Sequence, residues 1–471
     1  VQNIFLTKRA AAFALALSLL GACKDSTGVP ELNNLTEDVV TKGLDRSSTR
    51  LLLTGLLDRD RGSLDNRYIV FSETMARDVY RLDSAEPRWV NEILGGAPDA
   101  GGFVGGGAFA LFFNTIRTAN TLVDNLPTTK RPELAAQFQL SDAEIKGVAG
   151  VAKTIKAQAF YRAIEMRDTV GLPVAVGGAV GTTLGDFRCK KDVLSYVSAL
   201  LDSAQTDLSG AGSSFYVTLP EGFSAAKAGI DFTTPASFAK FNRALKGKVE
   251  LYRGLAGDAS AFARAQTALS ASYLDVTASL NNGPVYTYSS APGETTNPTF
   301  DNNIFANPKA VAALETGDTR KAKFATGSST RYGFTGNPRL SATRTADGSN
   351  QTNPRRLLSN EELILLRAQV KIEQGDLQGA TDDINAVRTQ YGLTAIPLLA
   401  DKESARTAVL YEKRYSLFFE GAQRLVDLRA YGRFNATYLT KEGPNDLYIQ
   451  NLPVPKAEVD QRGGTITKAC S

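Results

Sequence analysis

SNEELILLRAQVKIEQGDLQGATDDINAVRTQY, residues Ser359–Tyr391, contains the instructions for a pair of helices. Ser359 and Glu362 have the S-x-x-E spacing of a capping box, in which hydroxyl and carboxylate each accept a backbone N–H that the first helical turn leaves unpaired. Leu363, Leu366 and Val370 then recur at helical spacing. Gly375-Asp376 supplies a C-cap glycine followed by an N-cap aspartate. Leu377, Ala380, Ile384, Val387 and Tyr391 form a second stripe. The stretch predicts two antiparallel helices joined by a tight turn, each with an apolar face to bury.

The same design recurs upstream. From Ile145 the apolar positions run through Val148, Ala152, Ile155, Ala159, Ala163 and Met166 on one face, after the capping box Ser141/Glu144 and before the stop at Gly171 and Pro173. Val193, Val197, Leu200, Ala204 and Leu208 make another stripe, and Phe238, Phe241, Leu245, Val249, Tyr252 and Ala256 a third. The expected pairs are 44–57 with 109–126, 141–170 with 192–208, 237–257 with 259–273, and 359–374 with 376–391. Repeated antiparallel pairs of this size are the tetratricopeptide pattern. The fold class is therefore all-α, a tetratricopeptide-like helical-pair scaffold. Two long stretches, 58–107 and 274–356, show no helical period and are expected to be irregular, loop-rich insertions.

The start of the chain has a different character. Lys8 and Arg9 precede the apolar run Ala10–Leu20, which is too short to span a bilayer and has the order of a secretory signal peptide. Leu20-Gly21-Ala22-Cys23 resembles the lipobox of bacterial lipoproteins. That resemblance implies removal of residues 1–22, lipidation of Cys23, a tether over 23–34 and one folded domain over 35–471. Loss of Lys8 and Arg9 with no acid lowers the formal charge from +4 to +2, with charges interspersed and no nucleic-acid partner indicated. With Cys23 lipidated, Cys189 and Cys470 remain of the three cysteines. In an exported chain they are a candidate disulfide, the alternative being two separate thiols. The absence of histidine removes Ser-His-Asp and Cys-His catalysis and histidine-ligated metals. No cofactor or metal is expected.

The most specific stretch is EKRYSLFFEGAQRLVDLRAYG, residues Glu412–Gly432. It resembles the signature of the SusD/RagB family, E-R/K-R followed by F-E-G, R and D-L-R, at Glu412, Arg414, Glu420, Gly421, Arg424, Asp427 and Arg429. Glu362–Ala368, Ile384–Arg388, Phe241–Lys248 and Leu452–Val459 are similar to further motifs of that family in the family's order, with Gln369 where it often has Glu. As a helix, the signature would pair Glu420 with Arg424 and Arg424 with Asp427, over a stripe of Leu417, Gly421, Leu425 and Leu428. These charges are expected to be structural rather than ligand-binding.

The resemblance implies a lipid-anchored outer-membrane protein facing the cell exterior. It would capture oligosaccharides and deliver them to a SusC-like TonB-dependent barrel, without being an enzyme. Sugars are held by aromatic faces and by hydrogen bonds to hydroxyls. The two irregular segments therefore supply the candidates: Trp89, Tyr286, Tyr288 and Tyr332, with Arg81 and Asn91 as polar partners. Local packing of the loops is the competing reading of these rings. Other possible cargo includes peptides or another nutrient, and a rival reading is a tetratricopeptide adaptor that binds only proteins. The glycine run Gly95–Gly107 lacks the Gly-Lys-Ser/Thr of a phosphate loop and reads as flexible. Asp58 and Asp60 do not continue into a calcium-loop spacing, and no motif marks a glycosidase carboxylate pair.

Overall fold

A computed structural model describes residues 43–96, 98–127, 137, 139–177, 185–327 and 339–470. The segments expected to be a signal peptide (1–22) and a tether (23–34), with Cys23, and Tyr332 lie outside the described residues. The compact unit is Leu44–Ser471.

Its frame is helical. The longer helices are α1 (Arg46–Gly62), α2 (Asn66–Met75), α3 (Arg88–Gly95), α4 (Gly107–Asp124), α5 (Asp142–Arg167) and α6 (Lys190–Ser209). They are followed by α7 (Pro235–Leu255), α8 (Ala261–Ser270), α9 (Asn360–Gln374), α10 (Leu377–Arg388), α11 (Lys402–Ser416) and α12 (Gln423–Ala430). Each expected pair packs together: α1 with α4, α5 with α6, α7 with α8, and α9 with α10. Contacts of α4 with α5, α6 with α7 and α8 with α9 carry the stack from one pair to the next.

The caps explain where the helices begin. Ser141 and Glu144 form the reciprocal box at α5. Ser359 accepts from the Glu362 N–H at α9, but the Glu362 carboxylate turns inward to Lys248 Nζ at 3.0 Å. Gly375 is left-handed and Asp376 caps the first turn of α10. Here Ile364, Leu365, Ala368 and Ile372 interlock with Ala380, Ile384 and Val387, and α11 adds Ala405 and Val409, all fully buried. Each such large aliphatic contributes about 1.5–3 kcal/mol relative to exposure.

The first insertion is more ordered than expected, and the second is largely irregular with short strands. Residues 58–107 include the end of α1, α2, strand β1 (Val79–Arg81), α3 and a π-helical turn, Gly102–Gly106. Tyr68 through Met75 of α2 are all buried, the polar Ser72, Glu73 and Thr74 among them, so no solvent face marks an amphipathic period. Residues 274–356 contain β4 (Val285–Tyr286), β5 (Ile304–Ala306), β6 (Phe324–Thr326), β7 (Thr343–Thr345) and β8 (Arg355–Arg356). A four-stranded antiparallel sheet in the order β1-β5-β7-β6 joins the two insertions into one lobe. Strands of three residues are too short to show alternation.

A smaller sheet closes the tail. β2 (Leu172–Pro173) pairs with β3 (Phe187–Arg188), which pairs in parallel with β9 (Lys468–Ala469). Cys189 and Cys470 are bridged beside it, with Cα atoms 5.3 Å apart. Among the described residues no helix is long and apolar enough to cross a membrane.

Glu412–Gly432 is not one helix, contrary to expectation. α11 ends at Ser416 and α12 begins at Gln423. Between them Phe419 and Gly421 take positive φ, +62° and +143°. A Cβ on Gly421 would sit 3.0 Å from the Tyr68 hydroxyl, so glycine serves both the turn and the close approach of α2. The break removes the expected pairs along the helix. Glu420 pairs with Lys323 at 2.8 Å, Arg424 with Asp78 at 3.1 Å, and Asp427 with Lys413 at 2.7 Å. Glu412 pairs with Arg320 and Arg388, Arg414 with Asp78, and Arg429 donates to the Glu165 carbonyl. The signature charges bind separate elements together instead of decorating one surface.

Candidate functional site

The residues expected to bind ligand fall in two places. Trp89, Arg81 and Asn91 lie on and beside α3, whose Trp89, Val90, Ile93 and Leu94 point inward. The Trp89 ring is 8% exposed. Phe71 packs on it with centroids 4.8 Å apart, and the Arg81 guanidinium lies 4.6 Å from its centroid. Arg81 is itself tied to Asp83 and Asp301. Trp89 is therefore a floor for neighbouring groups and not an open stacking face. Asn91 is exposed on the outer side of the helix.

Tyr286 and Tyr288 also pack inward. Tyr286 is 1% exposed, and its hydroxyl donates to Asp60 Oδ2 at 2.8 Å. Asp60 also accepts from Arg162 Nη1 at 2.9 Å. The Tyr288 hydroxyl points to the Arg61 carbonyl at 3.3 Å. Burial raises the pKa of both phenols. These rings lock the second insertion to α1 and α5, and neither offers a face to a sugar. The expectation of a surface platform at Tyr286 and Tyr288 is thus corrected by their burial.

A neighbouring ring beside α3 is partly exposed. Phe103 is half-buried, set edge-on to Trp89 at 5.3 Å, with the Arg88 guanidinium 4.2 Å from its centroid. Arg88 has 45% of its side chain exposed. It is held by Glu86, whose pKa is lowered by the hydrogen bond it accepts from Arg88. Asn91 stands three residues along the helix from Arg88, on the same side. The π-helical turn fixes Phe103: Gly105 donates to the Asp99 carbonyl at 2.7 Å and Gly106 to that of Gly101 at 2.7 Å. A Cβ on Gly105 would meet the Ala100 backbone at 2.9 Å. What reads as a flexible glycine loop is a tight scaffold that presents an aromatic ring, and the Phe within the glycines was the available signal. An aromatic ring beside a guanidinium, with an exposed amide on the same helix, is chemistry suited to a sugar's C–H face and its hydroxyls.

No protein-family model and no characterised protein sequence matches the chain. Solved structures do match. A SusD superfamily protein from Bacteroides fragilis NCTC 9343 aligns over 89% of this chain and 98% of its own, at 16% identity and a TM-score of 0.63. The fold is the SusD fold. A laminarin-binding SusD-like protein aligns over 88% of this chain and 97% of its own, at 15% identity and a TM-score of 0.61. Surface glycan-binding protein A from Bacteroides uniformis aligns over 84% and 93%, at 13% identity and a TM-score of 0.62. The match spans nearly the whole of each of these chains.

Proposed function

We propose that this chain is a SusD/RagB-family lipoprotein of the outer membrane, anchored through Cys23, that captures a glycan at the cell surface and passes it to a SusC-like TonB-dependent barrel. The observation that carries the reading is the SusD fold over 89% of the chain. The names of two proteins sharing that fold, one laminarin-binding and one a surface glycan-binding protein, support a glycan as cargo. Phe103, Arg88 and Asn91 are the residues that would touch it. The ring would cover the apolar side of one sugar unit, while Arg88 swings from Glu86 to donate to hydroxyls. No bond in the glycan changes. Capture raises the local concentration of cargo at the pore, which tethering turns into an intramolecular encounter.

Titration of the purified chain with soluble α- and β-glucans, other polysaccharides and peptides tests the proposal. Binding of one polysaccharide, weakened about tenfold (~1.4 kcal/mol) by Phe103→Ala with unchanged thermal stability, is the expected result. A response to peptides alone would replace the cargo, and binding indifferent to Phe103→Ala would displace the site.

A further inference from the structure

A second concavity lies away from Phe103, between the helical frame and the insertion lobe. It encloses about 270 Å³, at the lower edge of the roughly 300–1,000 Å³ of small-molecule sites. Its mouth is formed by Asn281, Pro354 and the half-exposed Asp347, and its floor by Ile69, Arg355 and Glu361. That volume suits a single sugar ring and not a chain.

The broken signature segment supplies part of this pocket. By leaving the helix after Ser416, the backbone brings Glu420 to the pocket wall, where Lys323 Nζ donates to it at 2.8 Å. The turn is held from both sides: the Phe419 carbonyl accepts from Arg355 Nη1 at 2.9 Å and its N–H donates to Glu73 Oε1 at 3.1 Å. A non-glycine residue at φ +62° is costly, and such costs gather where geometry serves a site.

The lining chemistry narrows the ligand. The cations Lys323, Arg355 and Arg356 face the acidic groups Asp347, Glu361 and Glu420, so groups of both signs line the pocket. Glu361 is 4% exposed; its Oε2 accepts from the Tyr391 hydroxyl at 3.0 Å, and the burial that raises its pKa is opposed by the Lys323 charge and a hydrogen bond from Ser416. Burial pushes the Glu361 carboxyl up to about 7, so near neutrality it can both give and accept a hydrogen bond. Asn353 at the rim adds an amide, and Tyr391 offers aromatic surface.

We propose that this pocket binds a neutral polyhydroxylated molecule the size of one sugar ring, with Glu420 accepting from its hydroxyls and Arg356 and Asn353 donating to them. The site is separate from the surface that would hold a glycan chain at Phe103.

The test is thermal shift and calorimetry of the full chain with free glucose, galactose, mannose, xylose and N-acetylglucosamine in turn. The expected result is a rise in Tm with at least one of them. Glu420→Gln and Asn353→Ala should each weaken that binding about tenfold, and Phe103→Ala should leave it unchanged. Should Glu420→Gln fail to fold, the rim substitution Asn353→Ala decides. No response to any of these sugars overturns the proposal. So does binding that Asn353→Ala leaves intact or Phe103→Ala abolishes, and so does a sugar-soaked crystal with only water in the pocket. Loss of polysaccharide binding in Phe103→Ala with monosaccharide binding retained would separate the two sites.

Discussion

The helical frame and the insertion lobe are built on different terms. In the frame, α9 and α10 are neighbours in sequence, and capping, turn and apolar stripe lie within the stretch that uses them. In the lobe, β1 pairs with β5 across Val79↔Ala306, and Tyr286 reaches Asp60. Contacts of that kind leave no local period. Within the frame, apolar burial joins helices that are neighbours in sequence. The joint of lobe to frame adds buried polar links, where the penalty for a missing partner exceeds the gain from a made one.

This contrast can be broken experimentally, and the largest effect is expected at the joint. Asp60→Ala leaves Arg162 buried without its carboxylate and the Tyr286 hydroxyl without its acceptor. It should cost about 3–5 kcal/mol in urea unfolding. A loss below 1 kcal/mol would show that the lobe does not depend on polar links. Within the frame, Ile384→Ala at a fully buried position should cost about 2–5 kcal/mol through the cavity it leaves. Replacing Cys189 and Cys470 by serine should cost about 2–4 kcal/mol. Hydrogen exchange should then rise first at β9 and β3, leaving α9 and α10 protected.

The smallest effect depends on pH. Burial holds the Glu361 carboxyl at about 7 in the folded chain against an ordinary value of 4.5. The folded state therefore binds the proton more tightly than the unfolded state. The stability that this provides is complete below pH ~4.5 and is lost as pH rises through ~7. Glu361→Gln should flatten that decline and gain on the wild type at pH 8 by on the order of 1–3 kcal/mol. An unchanged pH profile would mean that the carboxyl is better solvated than its burial implies.

Much of the frame was legible because its rules are local. Ser141/Glu144 and Gly375-Asp376 mark helix ends by their own hydrogen bonds, and the stripes from Ile145 and Leu377 mark faces. α2 was hidden because its Tyr68–Met75 segment is buried throughout, the polar Ser72, Glu73 and Thr74 included, so no alternation of apolar and polar residues marks its faces. The break in Glu412–Gly432 was hidden because its cause lies elsewhere: Tyr68 crowds Gly421, and Glu73 and Arg355 hold Phe419. The sequence reading names Arg81, Trp89 and Asn91, near the Phe103 ring, and takes the buried Trp89 for an open face. Whether Trp89 or Phe103 faces solvent depends on the fold of the glycine run, and burial is a property of the assembled lobe. Tyr286 and Tyr288 misled for the same reason.

The most direct test of the account is calorimetric titration of the purified chain with a polysaccharide panel, followed by size analysis of the recovered polymer. The account predicts saturable binding of one polysaccharide that is recovered at its original length. Shortened polymer would contradict capture without chemistry, and absence of binding across the glycans with a clear peptide isotherm would contradict a glycan as cargo.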